Sequence, residues 1–139
     1  MSLDVELLRS SFDTVVEREP ELAHRFYDTL FERHPQARAL FRRNTRSEQE
    51  KMLTSALVAV MAHLDDAAWL RDTLLGLGAK HESYGVTPEM YGWVGGSLLA
   101  TLKDICGGAW TPALERAWTQ AYGVIAETMQ EGARVARAS

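Results

Sequence analysis

The side chains best suited to chemistry are few: four histidines, one cysteine and a small number of tyrosine, glutamine and tryptophan residues. His81 continues the series Leu70, Leu74, Leu77 at helical spacing, so it points inward, beside a chain break at Gly85. A lone inward histidine is either a hydrogen-bonded core residue or a single axial ligand to a haem iron, with apolar walls supplying the rest of the enclosure. Pattern alone leaves both open. The other three are placed differently: His34 precedes Pro35 at a helix end and is expected to face solvent, His24 falls at the edge of an apolar stripe, and His63 lies off one.

Tyr27 sits on a face otherwise made of Phe26, Leu30 and Phe31, where a buried phenol needs a partner for its hydroxyl. Gln49 stands one turn before Leu53, at the start of an inward helix face. Each taken singly reads as a polar helix-end residue with its tip in water. Together they are two donors converging on an apolar cavity, suited to a diatomic ligand that gains negative charge on binding. Phe41 is a packing anchor or a plate against a flat cofactor, and Trp93, Trp110, Trp118 and Tyr122 read as helix-packing residues. The sequence has no Ser-His-Asp spacing, no glycine-rich phosphate loop and no paired carboxylates, and Gly95-Gly96 suit close helix packing.

The elements that must position these residues are helical throughout. A first helix runs from Leu3 to about Val16 with Ser2 as N-cap, carrying Leu3, Leu7, Leu8 and Phe12 on one stripe. Pro20 suits the first turn of a second helix bearing Ala23, Phe26, Tyr27, Leu30 and Phe31. Pro35 opens a short turn through Leu40 and Phe41, and a polar linker, Arg42 to Arg46, follows. Ser47 with Glu50 is the expected capping box of a long helix carrying Leu53, Ala56, Leu57, Val60 and Leu64. Asp65-Asp66 end that helix and cap the one that carries His81. Thr87-Pro88 start a helix to about Ile105, ended by Gly107-Gly108, and Thr111-Pro112 start a last helix to about Val135. No segment shows strand alternation, and no repeat or flexible linker divides the 139 residues, so the expectation is one all-α domain over residues 1–139.

Composition narrows the function classes. Apolar residues make up 46% and charged residues 24%, the balance of an ordinary globular domain. Net charge is −4, with 15 Lys+Arg against 19 Asp+Glu and no basic stripe, which argues against nucleic-acid binding. The longest apolar run, Ala56 to Ala62, is too short to span a membrane. With no secretory signal and only Cys106, the expected location is the reducing cytoplasm. A zinc-type site would need several Cys or His close together, which the sequence lacks.

In order along the chain, these residues resemble the globins, and most closely bacterial single-domain haemoglobins and the haem domain of flavohaemoglobins. Phe26-Tyr27-x-x-Leu30-Phe31, His34-Pro35 and Leu40-Phe41 resemble the second helix, the short third helix and the haem-stacking phenylalanine. Lys80-His81-x-x-x-Gly85-Val86 resembles the proximal segment. Tyr91-Gly92-x-Val94-Gly95 with Leu98-Leu99, and Ala117-Trp118-x-x-Ala121-Tyr122-Gly123-Val124-Ile125-Ala126, resemble the last two helices. Each motif is weak alone, but the ordered set covers nearly the whole chain.

The resemblance implies a three-over-three globin fold and a non-covalent haem b ligated by His81, the lone Cys106 being unable to supply a C-x-x-C-H attachment. It makes Phe41, Leu57, Leu77, Val86, Val94 and Leu98 haem-wall residues, and Tyr91 the residue that orients His81. For the distal residue, counting forward from Phe41 favours Glu48. Counting back from His81 through Asp65-Asp66 favours Gln49, and this count governs because a linker changes length more easily than a long helix slips. Tyr27, Gln49 and Leu53 then form the distal side. Close relatives carry a glutamate in the last helix that bonds the proximal tyrosine and histidine; Ala133 stands there instead, and Glu127 and Glu131 face elsewhere. The implied function is reversible, high-affinity binding of dioxygen, carbon monoxide and nitric oxide at a five-coordinate iron. The alternatives are a nitric-oxide dioxygenase served by a separate reductase, since no flavin or nicotinamide domain follows the helices, a haem-based gas sensor, and a haem-free helical interaction domain.

Overall fold

The computed structural model describes residues 3–41 and 44–138. They form α1 (Val5–Arg18), α2 (Leu22–Arg33), a 3-10 turn (Pro35–Phe41), α3 (Arg46–Ala62), α4 (Ala67–Ser83), α5 (Pro88–Cys106), a short 3-10 turn (Gly107–Ala109) and α6 (Pro112–Ala138). No strand occurs among the described residues.

Most boundaries follow the punctuation in the sequence, and the departures have local causes. Asp4 caps α1, its carboxylate accepting from Leu7 N at 3.2 Å, so the helix starts later than Leu3 and runs on to Arg18; Ser2, the expected cap, lies outside the described residues. Pro20 falls outside α2 rather than in its first turn, because the Glu21 N–H is held by the Glu19 carboxylate at 3.1 Å and the helix begins at Leu22. The capping box of α3 is Thr45 with Glu48, not Ser47 with Glu50. Thr45 Oγ1 accepts from Glu48 N at 3.2 Å, and Glu48 Oε1 accepts from Thr45 N at 3.0 Å. Starting two residues earlier brings Arg46 into the helix, where it bonds Glu50 one turn on. Asp66 caps α4 through Trp69 N, and α6 extends to Ala138, one turn past the expected end.

The core lies where α1, α2, α5 and α6 meet, around Leu8, Val15, Phe26, Leu30, Leu102 and Trp118. The Trp118 indole donates to Ser11 Oγ at 3.0 Å, which settles two buried polar groups at once. Glycines let two helix pairs approach closely. A methyl at Gly78 of α4 would stand 1.7 Å from the Met129 carbonyl oxygen of α6, and one at Gly132 would stand 2.1 Å from that of Leu75. At Gly95 of α5 the space is taken by the Tyr122 ring, whose hydroxyl donates to Tyr91 O at 2.6 Å. Close helix packing is therefore what Gly95 serves.

α3 makes its main approach to α2, and α4 makes its main approach to α6. The two helices are consecutive in the chain, but neither makes its main approach to the other. Their apolar faces are left half-covered as a result: Leu53, Ala56 and Leu57 on α3, and Leu70, Leu77 and His81 on α4, are all half-buried.

Candidate functional site

Tyr27 comes from the middle of α2, whose six buried residues make it the most enclosed short helix of the chain. Its ring stacks on Phe31 at 5.8 Å and meets Phe41 edge-on at 5.4 Å. Burial pushes its hydroxyl up to about 12, Glu50 adding to the effect and Arg46 opposing it. The phenol thus stays protonated, and a hydrogen-bond donor, across the physiological range.

A cavity of about 280 Å³ opens beside this ring, lined by Tyr27, Phe31, Arg38, Phe41, Arg46 and Gln49. Tyr27, Phe41 and Gln49 therefore meet on one wall, from α2, the 3-10 turn and α3. Glu48, the other residue considered for that place, is exposed and engaged in the helix cap. Leu53 and Leu57 follow Gln49 at one and two turns, half-buried against the core.

Arg38, from the 3-10 turn, and Arg46, which the sequence puts in the polar linker, also line this wall. Arg46 ties the site together. Its Nε donates to Glu50 and its Nη2 to Asp28 and to the His24 carbonyl, each at 2.8 Å, while Cζ lies 5.8 Å from the Tyr27 ring centroid. The bond from Arg46 holds the Asp28 carboxyl below its usual range. Its helical position was the available signal: Arg46 precedes Gln49 by three residues and Glu50 by four, sharing a face with both.

α4 carries His81 in its last turn. His81 Nδ1 lies 2.7 Å from the Leu77 carbonyl. A carbonyl only accepts, so Nδ1 donates, and a neutral ring keeps its lone pair on Nε2, the arrangement of a metal-ligating imidazole. Beyond it the chain reverses at Gly85, whose φ of 89° favours glycine, and Val86 N returns to the His81 carbonyl at 3.1 Å. Leu77 and Val86 are half-buried with His81, Val94 is half-buried on α5, and Leu98 is in the core. No group of three or more His, Cys, Asp or Glu able to hold a metal occurs among the described residues.

Tyr91, near the start of α5, is buried with a hydroxyl that has no hydrogen-bond partner. Its pKa is raised by burial and by the nearby Glu82. A buried orphan hydroxyl is costly, so a group that would accept from it is expected beside it. Ala133 is buried on α6, and Glu131 is committed to Arg71 by two bonds of 2.9 and 3.1 Å, so neither supplies a carboxylate to Tyr91. The half-covered faces of α3 and α4, the Nε2 lone pair of His81 and the orphan hydroxyl of Tyr91 together fit a flat, mainly apolar, metal-bearing group such as haem.

None of the remaining histidines lines the cavity. His34 is not solvent-facing but half-buried, its ring stacked on Trp93 at 5.1 Å. The flat indole on α5 gives a helix-end imidazole a better surface than water does. His63 stacks on Trp69 at 3.8 Å, and His24 is exposed between Asp28 and Glu50. No helix among the described residues is long and apolar enough to cross a membrane.

The globin family model matches residues 24–129. The flavohemoprotein of Bacillus subtilis is 34% identical over 125 residues, covering 88% of this chain and 31% of that protein. Neuroglobin of Tetraodon nigroviridis is 43% identical over 74 residues, covering 53% of this chain and 46% of its own length. The chain thus matches less than half the length of these relatives. Among solved structures, an engineered carbene transferase derived from a candidate nitric oxide dioxygenase of Rhodothermus marinus superposes with a TM-score of 0.85 at 25% identity, covering 99% of this chain and 97% of that one. A globin from Campylobacter jejuni gives 0.81 at 21% identity, with 97% of both chains covered.

Proposed function

The chain belongs to the globin family, an all-α fold whose members bind haem, and from that premise we propose that it binds dioxygen and similar diatomic gases reversibly and with high affinity. When bound, haem would supply an iron able to take a diatomic gas. His81 would hold that iron through Nε2, its Nδ1–H bond to Leu77 O fixing the ring and raising its basicity. Phe41, Leu53, Leu57, Leu77, Val86, Val94 and Leu98 wall the group and keep water out. Tyr91, buried with an unpartnered hydroxyl, would orient His81. The haem is of the b type, held without covalent links, since the buried Cys106 at the end of α5 lacks the attachment motif.

The observation that carries this reading is the meeting of Tyr27 and Gln49, from separate helices, with Phe41 on one cavity wall. The phenol, kept protonated by its burial, and the amide both donate to a ligand that gains negative charge. Such bonds contribute roughly 1.5–3 kcal/mol each, enough together to slow gas release by about two orders of magnitude or more. The test is dioxygen dissociation measured by stopped flow. Tyr27→Phe is expected to release dioxygen at least about tenfold faster, one lost bond being worth that much. An unchanged rate overturns the assignment.

A second reading, nitric-oxide dioxygenation with a separate reductase, is favoured by the similarity to flavohemoproteins over the haem-binding part. The Tyr91 hydroxyl bonds no carboxylate, which would leave His81 a weaker electron donor than that chemistry favours. Nitric-oxide consumption sustained by an added reductase, faster than haem autoxidation, supports this reading; consumption no faster than autoxidation removes it.

A further inference from the structure

α1 packs mainly on α5 and α6, and α3 mainly on α2, and an open trough of about 580 Å³ is left between α1 and α3. That volume lies within the roughly 300–1,000 Å³ of small-ligand sites. Phe12, Leu22 and Met61, all buried core residues, reach its surface, while Val16 on the α1 side is 40% exposed and Val58 on the α3 side 52%. Water therefore covers a contiguous apolar surface that neither helix closes.

The α1 side also places charge in this surface. Asp13 and Glu17, one turn apart, alternate with Phe12 and Val16 along the lining face. The α3 side contributes no charged residue to the lining. Both nearby arginines are spent elsewhere. Arg9 donates through Nε to Met61 O at 2.8 Å, and through Nη2 to Ala62 O at 3.1 Å and to Asp65 at 3.3 Å. Arg18 is turned to the Cys106 carbonyl at 2.9 Å. Among the described residues, the Asp13 and Glu17 carboxylates have no ion pair and no hydrogen bond. The trough is thus apolar with two unmatched negative charges on one side.

We propose that it binds an amphiphilic monocation of the single-chain alkylammonium class, with the chain against Phe12, Val16 and Val58 and the ammonium beside Asp13 and Glu17. Apolar burial supplies the affinity, and the two carboxylates select the sign of the headgroup. A neutral apolar ligand gains nothing from them and an anionic one is repelled. Leu57, named above as a haem-wall residue, lines the trough as well, so the test keeps haem in place and watches it.

The full chain, incubated with haemin, is titrated at neutral pH and low salt with decylammonium chloride and, separately, sodium decanoate, both below their micelle-forming concentrations. Isothermal calorimetry reads binding, and the Soret band is followed in parallel. The expected result is saturable one-to-one binding of decylammonium, with decanoate at least about tenfold weaker. Asp13→Asn with Glu17→Gln, both at exposed positions, should weaken decylammonium roughly fivefold and leave decanoate no weaker. Glu115→Gln with Glu127→Gln removes the same charge from exposed positions of α6 and should change nothing. Val58→Ser should weaken both amphiphiles. Equal affinity for the two headgroups, no saturable binding, or the same loss in the α6 control overturns the proposal. So does decylammonium that shifts the Soret band as it binds, because it has then entered the haem pocket. A dimer in sedimentation equilibrium that Val58→Glu dissociates, without decylammonium binding, puts a second copy of the chain in the trough and overturns it too.

Discussion

Tyr27 shows how burial decides what a side chain can do. Enclosed by Phe26, Phe31 and Phe41, its hydroxyl is pushed up to about 12, so the fold favours the neutral phenol. The sign of the stability effect follows. In the unfolded chain a tyrosine ionises near its ordinary value of about 10, so this contribution is complete below that pH and is lost as pH rises toward the folded value. Urea unfolding between pH 9 and about pH 12 is therefore expected to show falling stability, with a shallower fall in Tyr27→Phe. An identical slope in both proteins means the phenol is not buried as described. Tyr27 and Gln49 were legible in the sequence because each continues an apolar stripe at helical spacing. Arg38 and Arg46 were not. Their long side chains reach the cavity from a turn and a helix start, and stripe arguments carry no information about where a flexible cation ends.

At the scale of elements, helix starts and helix crossings place the site residues. The stretch Thr45 to Glu50 contains two overlapping capping patterns, Thr45-x-x-Glu48 and Ser47-x-x-Glu50. The first prevails because Glu50 is already held by Arg46 and His24. Thr45→Ala is expected to cost about 1 kcal/mol and Ser47→Ala close to nothing, as measured by chemical unfolding. The reverse order would restore the later start. Close approach of α4 to α6 is set by Gly78 and Gly132, which sequence pattern shows only as two glycines inside helices. A methyl at Gly78 meets the backbone of Met129, whereas one at Gly76, on the same helix, meets nothing within 4 Å. Gly76→Ala should therefore stabilise by about 0.5–1 kcal/mol through helix propensity. Gly78→Ala should destabilise by about 1–3 kcal/mol and shift His81, three residues on, with faster haem loss. Equal effects from the two substitutions would mean that α4 and α6 are further apart than described.

At the scale of the whole molecule, the helical class and nearly all the breaks were legible because prolines, glycines and capping residues stand at the ends of strongly periodic segments. What pattern could not show is the division of helix partners: α3 with α2, and α4 with α6. That division leaves half-buried apolar residues on both α3 and α4, with His81 beside those of α4. The charge balance, net −4 with no basic stripe, suits a ligand smaller than a nucleic acid. We propose that His81 would be the one protein ligand of a haem iron open to gas. The most direct test is the absorption spectrum of the haemin-loaded protein, reduced with dithionite, before and after carbon monoxide. The account requires a strong Soret band, a five-coordinate reduced spectrum and a sharp carbonyl shift. No Soret band after haemin addition, or a reduced spectrum already six-coordinate through a second protein ligand, would contradict it.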